Sequence, residues 1–323
     1  MEKKNSLKIT VLAGGVGAAK FLQGLIAEFP PEQVTVIANT GDDAEFHELH
    51  VSPDIDTIIY TLAGLIDPVR GWGLRDETFH CLEALNRLGR ETWFQLGDRD
   101  LATHLFRTGR LVEGATLTQV TSELALLRGL ALRILPMTDQ PAPTRLTTSE
   151  GELGFQEYFV QRRQEPQVEA VDLSFASRCT PAPGVLDAIT QTELIIVAPS
   201  NPIISIGPIL AVQELRDALR ETSAPVIAIS PIVSGKALKG PADRMLASLG
   251  HEASAAAIAS LYSDFLDLFV LDKQDENLRE RIEGSGIRTL VTDTIMSNSE
   301  RRQSLARTVL ESASRLQTAP REK

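Results

Sequence analysis

Four aspartates stand close together in one segment of this chain, residues 39–64, which reads NTGDDAEFHELHVSPDIDTIIYTLAG. Asp42 and Asp43 follow an apolar run, and Asp54 and Asp56 stand at the start of the next one. Carboxylates on two loops, together with the phosphates of a substrate, supply the oxygen ligands that Mg²⁺ prefers. The pattern predicts a site for a phosphorylated nucleotide and its cation, although any one of these aspartates could instead be a turn residue or a helix cap.

A glycine-rich turn precedes the aspartates and contains Gly14, Gly15 and Gly17, followed by Lys20. The turn approaches the dinucleotide pattern GxGxxG, but Lys20 occupies the third glycine position, and the P-loop pattern fails because Phe21 follows the lysine. Glycines let the backbone approach a ligand closely, and the N-terminus of a following helix attracts phosphate. The turn therefore predicts a phosphate site, the alternative being a glycine turn required only by backbone geometry.

Three further loops carry polar residues that suit a nucleotide or a flavin. Residues 199–202, PSNP, offer hydrogen bonds to a base or ribose, and residues 230–246 bring basic side chains that would compensate phosphate charge. Residues 96–100, LGDRD, would form a polar wall against the ligand, with Arg99 meeting phosphate or ordering the aspartates; the alternative is an exposed capping turn. The candidate binding residues here and beside the acidic loop are Asn39, Asp42, Asp54, Asp98, Arg99, Ser200, Asn201, Ser230, Lys236 and Gly240.

Short β-branched runs and helical periodicity alternate in both outer parts of the chain. Lys8–Ala13 and Val34–Ala38 read as buried parallel strands on either side of the glycine turn and a helix, which makes a βαβ unit. Runs of the same kind recur at Leu194–Ala198, Val226–Ser230, Leu268–Leu271 and Thr289–Val291. We predict an α/β fold with a Rossmann-like, doubly wound, mostly parallel sheet, in which ligands bind at the carboxyl ends of the strands.

The middle of the chain has a different pattern. It is helical around LGDRD, and from Leu132 to Leu173 short apolar runs alternate with polar turns, which indicates a small β-rich part. We therefore expect residues 1–75 and 185–323 to form the α/β core, and residues 76–184 to form a helical and β insertion that makes the other wall of the cleft.

The composition narrows the class of protein. A net charge of -11 over 323 residues argues against binding to nucleic acid, which requires a basic surface. The sequence has no apolar run of about 18 residues and no secretory signal pattern, so we expect a cytoplasmic protein. Cys81 and Cys179 lack a pairing motif, which predicts two reduced thiols. His47 and His50 stand in HELH rather than HExxH, and zinc is not expected.

The ordered set of motifs resembles the 2-phospho-L-lactate transferase family of deazaflavin coenzyme (coenzyme F-420) biosynthesis. The resemblance runs from about Lys8 to past Asn298. Any single block is unspecific, but the ordered set is highly specific. The blocks are AGGVGAAKFLQGL, NTGDD with VSPDIDTIIYTLAG, GWGLRDETF, LGDRDLATHL, ILPMTD, PSNPIISIGPIL, SPIVSGKALKGPADRML and DTIMSN.

The resemblance implies an enzyme that joins a guanylylated three-carbon phosphoacid to 7,8-didemethyl-8-hydroxy-5-deazariboflavin. The terminal hydroxyl of the ribityl chain attacks the phosphorus that bears the acid, and GMP leaves. The resemblance also implies a magnesium requirement, a homodimer, and contact of the deazaflavin with Asp56. Gln95 matches a second contact position, where family members carry a basic residue.

Phosphoryl-type transfer depends on positioning and charge neutralisation. We expect Asp43 and Asp56 to hold Mg²⁺ and to act as the catalytic aspartates, with Asp56 the first candidate for accepting the hydroxyl proton. Gly14–Gly17 would cradle the diphosphate, while Ser200, Asn201 and the loop from residue 230 to 244 would face guanosine. The three-carbon acid stays open, because phospholactate, phosphoenolpyruvate and phosphoglycerate differ by few atoms.

Two other functions fit part of the sequence. An NAD(P)-dependent oxidoreductase could use the acidic residues after the second strand to bind a ribose, but the third glycine is missing. A non-catalytic nucleotide-sugar-binding regulator, similar to the gluconeogenesis-factor family, would share the glycine turn and the NTGDD-like loop. The GWGLRDETF and LGDRD blocks favour the transferase, because they would line the flavin side of the cleft.

Overall fold

A seven-stranded sheet forms the centre of the molecule in the computed structural model, which describes residues 7–316. The strands of the chain are β1 (Ile9–Ala13), β2 (Val34–Ala38), β3 (Ala44–Phe46), β4 (Leu49–Val51), β5 (Arg133–Pro136), β6 (Arg145–Thr148), β7 (Gly151–Gly154), β8 (Val168–Asp172), β9 (Leu194–Val197), β10 (Val226–Ile229), β11 (Ile232–Val233), β12 (Lys236–Ala237), β13 (Leu268–Asp272) and β14 (Arg288–Thr292). The α-helices are α1 (Gly15–Glu28), α2 (Pro53–Leu62), α3 (His80–Arg87), α4 (Asp98–Val112), α5 (Leu117–Leu127), α6 (Ser174–Ser177), α7 (Val185–Thr190), α8 (Ile206–Ala211), α9 (Gln213–Glu221), α10 (Ala242–Ser248), α11 (Ala255–Leu261), α12 (Arg279–Glu283) and α13 (Ser299–Leu316).

The strand order of the central sheet is β14-β13-β10-β9-β1-β2-β5, and every pairing in it is parallel. The chain moves from β1 through β2 to β5 in one direction and from β9 to β14 in the other, so the order reverses between β1 and β9. Leu12 of β1 pairs with Val197 of β9, and the loops after both strands therefore begin side by side. The predicted Rossmann-like fold is confirmed, and this reversal is where such sheets bind ligands.

Helices cover both faces of the sheet, because successive residues of a strand point to opposite faces. Val11 belongs to an apolar cluster shared with α1, α2, α5 and α13, whereas its neighbour Leu12 belongs to a second cluster shared with α7, α8, α9 and α11. The two clusters enclose the sheet from both sides and leave its carboxyl edge for the loops.

The segment 76–184, which we expected to form an insertion, contributes β5 to the central sheet and α5 to one of the apolar clusters. Ile134 of β5 pairs with Val36 of β2. The rest of the segment holds α3, α4 and the antiparallel sheet β7-β6-β8, which is the β-rich part that the polar turns indicated. The core thus takes an edge strand from the middle of the chain.

Local features above the sheet edge shape the loops that follow the strands. Helix α1 begins at Gly15, earlier than the periodicity from Ala18 indicated, so two glycines of the turn lie in its first turn. The hairpins β3-β4 and β11-β12 extend the loops after β2 and β10. Among residues 7–316, no helix has the length and apolar character needed to cross a membrane.

Candidate functional site

A cavity of about 750 Å³ opens at the carboxyl ends of the central strands. Loops after β1, β2, β9, β10 and β14 contribute to its wall. Of the residues that the sequence indicated, those that line the cavity are Gly14, Gly15, Gly17, Lys20, Asp42, Asp54, Asp56, Gln95, Ser200, Asn201, Ser230 and Gly240. Those that do not are Asn39, Asp43, Asp98, Arg99 and Lys236.

The glycine turn fits so closely against its neighbours that it has no room for side chains. A β-carbon on Gly17 would collide with the carbonyl oxygen of Pro199, and one on Gly14 would collide with the Asp54 carboxylate. Gly15 has a φ of 70°, a left-handed conformation that favours glycine, and its backbone N–H donates to Asp54. Because this carboxylate already faces the N-terminus of α1, a phosphate could bind there only with a cation between the two anions.

Asp42 and Asp54 form a pair of buried carboxyls on the cavity wall. Asn39 Nδ2 donates to Asp54 Oδ2 at 2.9 Å, whereas Asp42 Oδ1 has no hydrogen-bond partner in the part of the chain that the structure describes. Burial raises the pKa of both groups, and the charges of neighbouring aspartates raise it further, for Asp54 to about 7. Two adjacent buried carboxyls, one of which has an oxygen without a partner, suit a divalent cation.

Asp43 and Asp56, which we expected to hold Mg²⁺, are engaged by other side chains. Asp43 Oδ2 accepts from Ser52 Oγ at 2.8 Å and lies 3.0 Å from His50 Nε2. Asp56 lines the cavity, but both of its carboxylate oxygens accept from Arg107. Across residues 7–316, no three His, Cys, Asp or Glu side chains form a metal-binding group.

Arg107 is fully buried, with an exposed fraction of 0%. Its Nη1 donates to Asp56 Oδ2 at 3.1 Å, and its Nη2 donates to Asp56 Oδ1. Burial alone would lower the pKa of Arg107, but the charge of Asp56 and the hydrogen bonds to it raise that pKa above its ordinary value. A bidentate contact satisfies two donors of the guanidinium at once, and it ties α2 to α4 in the interior.

The same arginine orients further side chains on the cavity wall. Arg107 Nη1 lies 3.2 Å from His104 Nδ1; in the tautomer in which Nδ1 accepts from the guanidinium, Nε2 carries the ring proton. His104 Nε2 lies 3.3 Å from Asp100 Oδ1, to which the Tyr60 hydroxyl donates at 2.6 Å. Burial alone would raise the pKa of Asp100, but these contacts lower it below its usual range. We call Tyr60, Asp100 and His104 the Asp100 cluster.

The sequence analysis missed Arg107 and did not single out the Asp100 cluster. The spacing of Asp100, His104 and Arg107 could have indicated them, because residues at i, i+4 and i+7 share one face of a helix. All three lie on the buried face of α4, where an amphipathic helix normally carries apolar side chains. Polar residues in such positions indicate a buried hydrogen-bonded network.

The LGDRD loop acts mainly through helix capping. Asp98 accepts from three groups just before and within the first turn of α3. Glu77 accepts from the backbone N–H groups of Arg99 and Asp100 at the start of α4. Asp98 and Arg99 therefore hold the loop together outside the cavity, and Asp100 is the charged residue of this motif on the cavity wall.

The polar residues after β9 and β10 line the cavity while forming hydrogen bonds that hold their own loops. Ser200 Oγ accepts from the backbone N–H of Gly14 at 3.3 Å and joins two loops at the strand-order reversal. Asn201 Oδ1 accepts from a backbone N–H two residues later, and Ser230 Oγ donates to a carbonyl two residues later. These contacts shape the wall that we expected to face guanosine.

Two lysines bring positive charge to the cavity wall. Lys20 projects from α1, and Lys239 Nζ donates to the carbonyl oxygen of Arg70 at 3.3 Å. Burial lowers the pKa of both lysines; the charge of Arg302 lowers that of Lys20 further, and the charge of Lys20 lowers that of Lys239. This concentration of positive charge suits an anionic ligand, whereas Lys236 is exposed outside the cavity.

Aromatic side chains form another part of the wall, where Trp72 and Phe94 stand with Gln95. Phe94 stacks on Phe46 with ring centroids 3.8 Å apart, and it packs against an apolar cluster that includes Leu101. Such a surface suits a flat heteroaromatic ligand.

The buried ion pair generates a prediction about stability. We expect Arg107→Met to lower the free energy of unfolding by about 3–5 kcal/mol, because it leaves the Asp56 carboxylate buried and without its partner. Arg107→Lys should lower the free energy of unfolding by a smaller amount, since lysine keeps the charge but not the bidentate geometry. Chemical denaturation at neutral pH measures both, and Arg107→Met combined with Asp56→Asn should recover much of the loss. A stability of Arg107→Met within about 1 kcal/mol of the parent would contradict this account.

Known proteins similar to this chain were found at the level of both sequence and fold. Residues 9–312 match the family model described as 2-phospho-L-lactate transferase CofD. The chain is 42% identical over 311 residues to a phosphoenolpyruvate transferase of Kitasatospora aureofaciens, covering 94% of this chain and 97% of that protein. It is 38% identical over 301 residues to a 2-phospho-L-lactate transferase of Methanosarcina mazei, covering 93% and 99%.

A solved structure shares the fold. The UPF0052 family protein BH3568 of Bacillus halodurans superposes with a TM-score of 0.63 at 14% identity, covering 95% of this chain and 99% of that one. The family model, which covers nearly the whole chain, and the full-length relatives confirm the resemblance carried by the motifs. This chain belongs to the 2-phospho-L-lactate transferase CofD family and is a transferase enzyme of coenzyme F-420 biosynthesis.

Proposed function

We propose that this protein transfers a phospholactyl, phosphoenolpyruvyl or phosphoglyceryl group from a guanosine-diphosphate-linked donor to 7,8-didemethyl-8-hydroxy-5-deazariboflavin, with release of GMP. The observation that carries the proposal is that one cavity combines the glycine turn, the Asp42–Asp54 pair and an aromatic wall. A diphosphate with its cation needs the first two, and a flat tricyclic ring suits the third. Relatives named for phosphoenolpyruvate transfer and for phospholactate transfer support the same reaction class.

The reaction is a displacement at phosphorus. The terminal hydroxyl of the ribityl chain attacks the phosphorus that carries the three-carbon acid; an O–P bond forms, the bond from that phosphorus to the bridging oxygen breaks so that GMP leaves, and the hydroxyl proton passes to solvent water. We assign binding of the diphosphate to the backbone N–H groups at the start of α1. Lys20 and Lys239 compensate the negative charge that grows on the GMP phosphate as it leaves.

Magnesium fits this cavity as the cation of the diphosphate. Asp42 and Asp54 would hold it, because both line the cavity, unlike Asp43, and Asp42 Oδ1 lacks a partner among the described residues. Bound there, Mg²⁺ would neutralise the donor phosphates and allow them to lie beside the Asp54 carboxylate. This assignment replaces the pairing of Asp43 with Asp56 that the motif suggested.

Asp56 has a positioning role in this proposal. With both oxygens accepting from Arg107, it could take a proton only by losing one of two charge-assisted hydrogen bonds. We therefore assign Asp56 to placing the acceptor, together with Arg107, rather than to accepting the hydroxyl proton.

A mass-resolved assay tests the proposed function directly. Purified protein is incubated with Mg²⁺, deazariboflavin and each of the three guanylylated acids in turn, and we expect a phosphodiester product plus GMP. The preferred donor identifies the three-carbon acid. Omission of deazariboflavin is the control and should abolish GMP release. Binding of guanosine nucleotides without product from any donor would refute the transferase and favour the regulator.

The magnesium assignment predicts a metal-dependent thermal shift. Free Mg²⁺ at tenfold its dissociation constant should stabilise the protein by about 1.4 kcal/mol, because it binds only the folded pair of carboxyls. Asp54→Asn should lose most of this shift, whereas Asp43→Asn, which changes a partly buried aspartate outside the cavity, should keep it. A shift that is lost in Asp43→Asn and kept in Asp54→Asn would contradict this assignment and favour Asp43 as the metal ligand.

The cavity lysine Lys239 can be compared with Lys236, an exposed lysine three residues earlier that does not line the cavity. Lys239→Gln should raise the KM for the guanylylated donor by roughly tenfold, because a charge-assisted contact to phosphate is lost. Lys236→Gln changes an exposed lysine of the same loop and should leave that KM within about twofold, a change below the cost of a typical hydrogen bond. Equal effects of the two variants on steady-state kinetics would argue against an anion site at Lys239.

A further inference from the structure

The Asp100 cluster lies on the cavity wall between two parts of the site. On one side, His104 Nδ1 is 3.8 Å from Asp56 Oδ2, and Asp56 stands two residues from Asp54 in the first turn of α2. On the other side, Leu101 of α4 belongs to the apolar cluster against which Phe94 packs. A ligand that reaches from the aromatic wall to the Asp42–Asp54 pair therefore passes the Asp100 cluster.

The cluster presents both a hydrogen-bond acceptor and donors. The Tyr60 hydroxyl and His104 Nε2 both approach Oδ1 of the Asp100 carboxylate, at 2.6 and 3.3 Å. His104 is 1% exposed, and its Nε2 forms no hydrogen bond of normal geometry with any residue from 7 to 316. A buried N–H without a partner is costly, so a ligand oxygen that accepts from it would be bound favourably.

The charges around the cluster disfavour an anion. Asp56 and Asp100 approach the two different ring nitrogens of His104, and an anion at the cluster would lie beside the Asp100 carboxylate, which Arg107 influences by its charge but does not pair with. A phosphate or carboxylate group would be repelled at this position. A neutral hydroxyl is suited to it, because it can donate to Asp100 and accept from His104 at the same time.

We propose that the Asp100 cluster binds hydroxyl groups of the acceptor's polyol chain, which donate to Asp100 and accept from His104 Nε2. The inference rests on the proposed function, because the deazariboflavin acceptor supplies the polyol. Asp100 and His104 contact the substrate, whereas Tyr60 and Arg107 are positioning residues that hold those two side chains. Bound in this way, the chain points its terminal hydroxyl away from the aromatic wall and toward the phosphorus.

Paired ligands test this assignment on the full-length protein. Dissociation constants are measured by fluorescence titration for deazariboflavin and for the same ring with a methyl group in place of the ribityl chain. We expect Asp100→Asn to weaken binding of deazariboflavin by roughly 10- to 100-fold, because a hydrogen bond to a charged group is lost, and to change binding of the ring analogue by less than about threefold. Asp139→Asn is the matched control, because Asp139 also accepts from a hydroxyl but does not line the cavity.

A second variant keeps the test independent of folding defects at Asp100. Tyr60→Phe removes only the hydroxyl that orients Asp100, and it should weaken deazariboflavin binding by roughly 2- to 10-fold while sparing the ring analogue. Equal losses for both ligands, or no loss for either, would overturn the polyol assignment and leave the proposed function intact. If the parent protein binds neither ligand, the proposed function itself fails.

Discussion

The bidentate ion pair between Arg107 and Asp56 is the interaction on which the arrangement of this site depends. A guanidinium with no exposed surface requires a paired charge and hydrogen-bond acceptors, which Arg107 has at both terminal nitrogens although not at Nε. That requirement brings α2, α4 and the carbonyl oxygen of His50 together around one side chain. Because α4 also carries Asp100 and His104, the position of the ion pair sets the position of the Asp100 cluster.

The four aspartates of one short segment take two different roles because their neighbours differ. Both oxygens of Asp56 accept from Arg107; Asp43 accepts through Oδ2 from Ser52, and its Oδ1, which has no partner among the described residues, lies outside the cavity lining. Asp42 and Asp54 face the cavity close to one another, and burial makes their negative charge costly. The same residue type is therefore structural on one side of the loop and available for a cation on the other.

The sequence was sufficient for six of the seven strands of the central sheet and for the loops that meet at its edge. Runs such as Val34–Ala38 are apolar and β-branched because both faces of a parallel strand are buried, so the pattern carries the information locally. Which side chain binds each carboxylate, by contrast, depends on residues that are remote in the sequence. The partner of Asp56 is an arginine 51 positions away in the chain, and only the packing of α4 brings it there. The strand β5 was assigned to an insertion for the same reason, since its partner β2 is remote in sequence.

An uneven distribution of charge gives the cavity of this acidic protein two regions that suit different kinds of ligand. With a net charge of -11, the chain as a whole repels anions, so the positive charge of Lys20, Lys239 and the N-terminus of α1 must act locally within the cavity. Beside Asp100 a ligand meets a carboxylate that has no bidentate partner of its own, which favours neutral hydroxyl groups over phosphates. In the proposed reaction, an anionic donor and a hydroxyl-rich acceptor would therefore bind in different parts of the cavity. The attacking hydroxyl and the phosphorus can then meet only where these two regions adjoin, beside Asp54 and Asp56 at the start of α2.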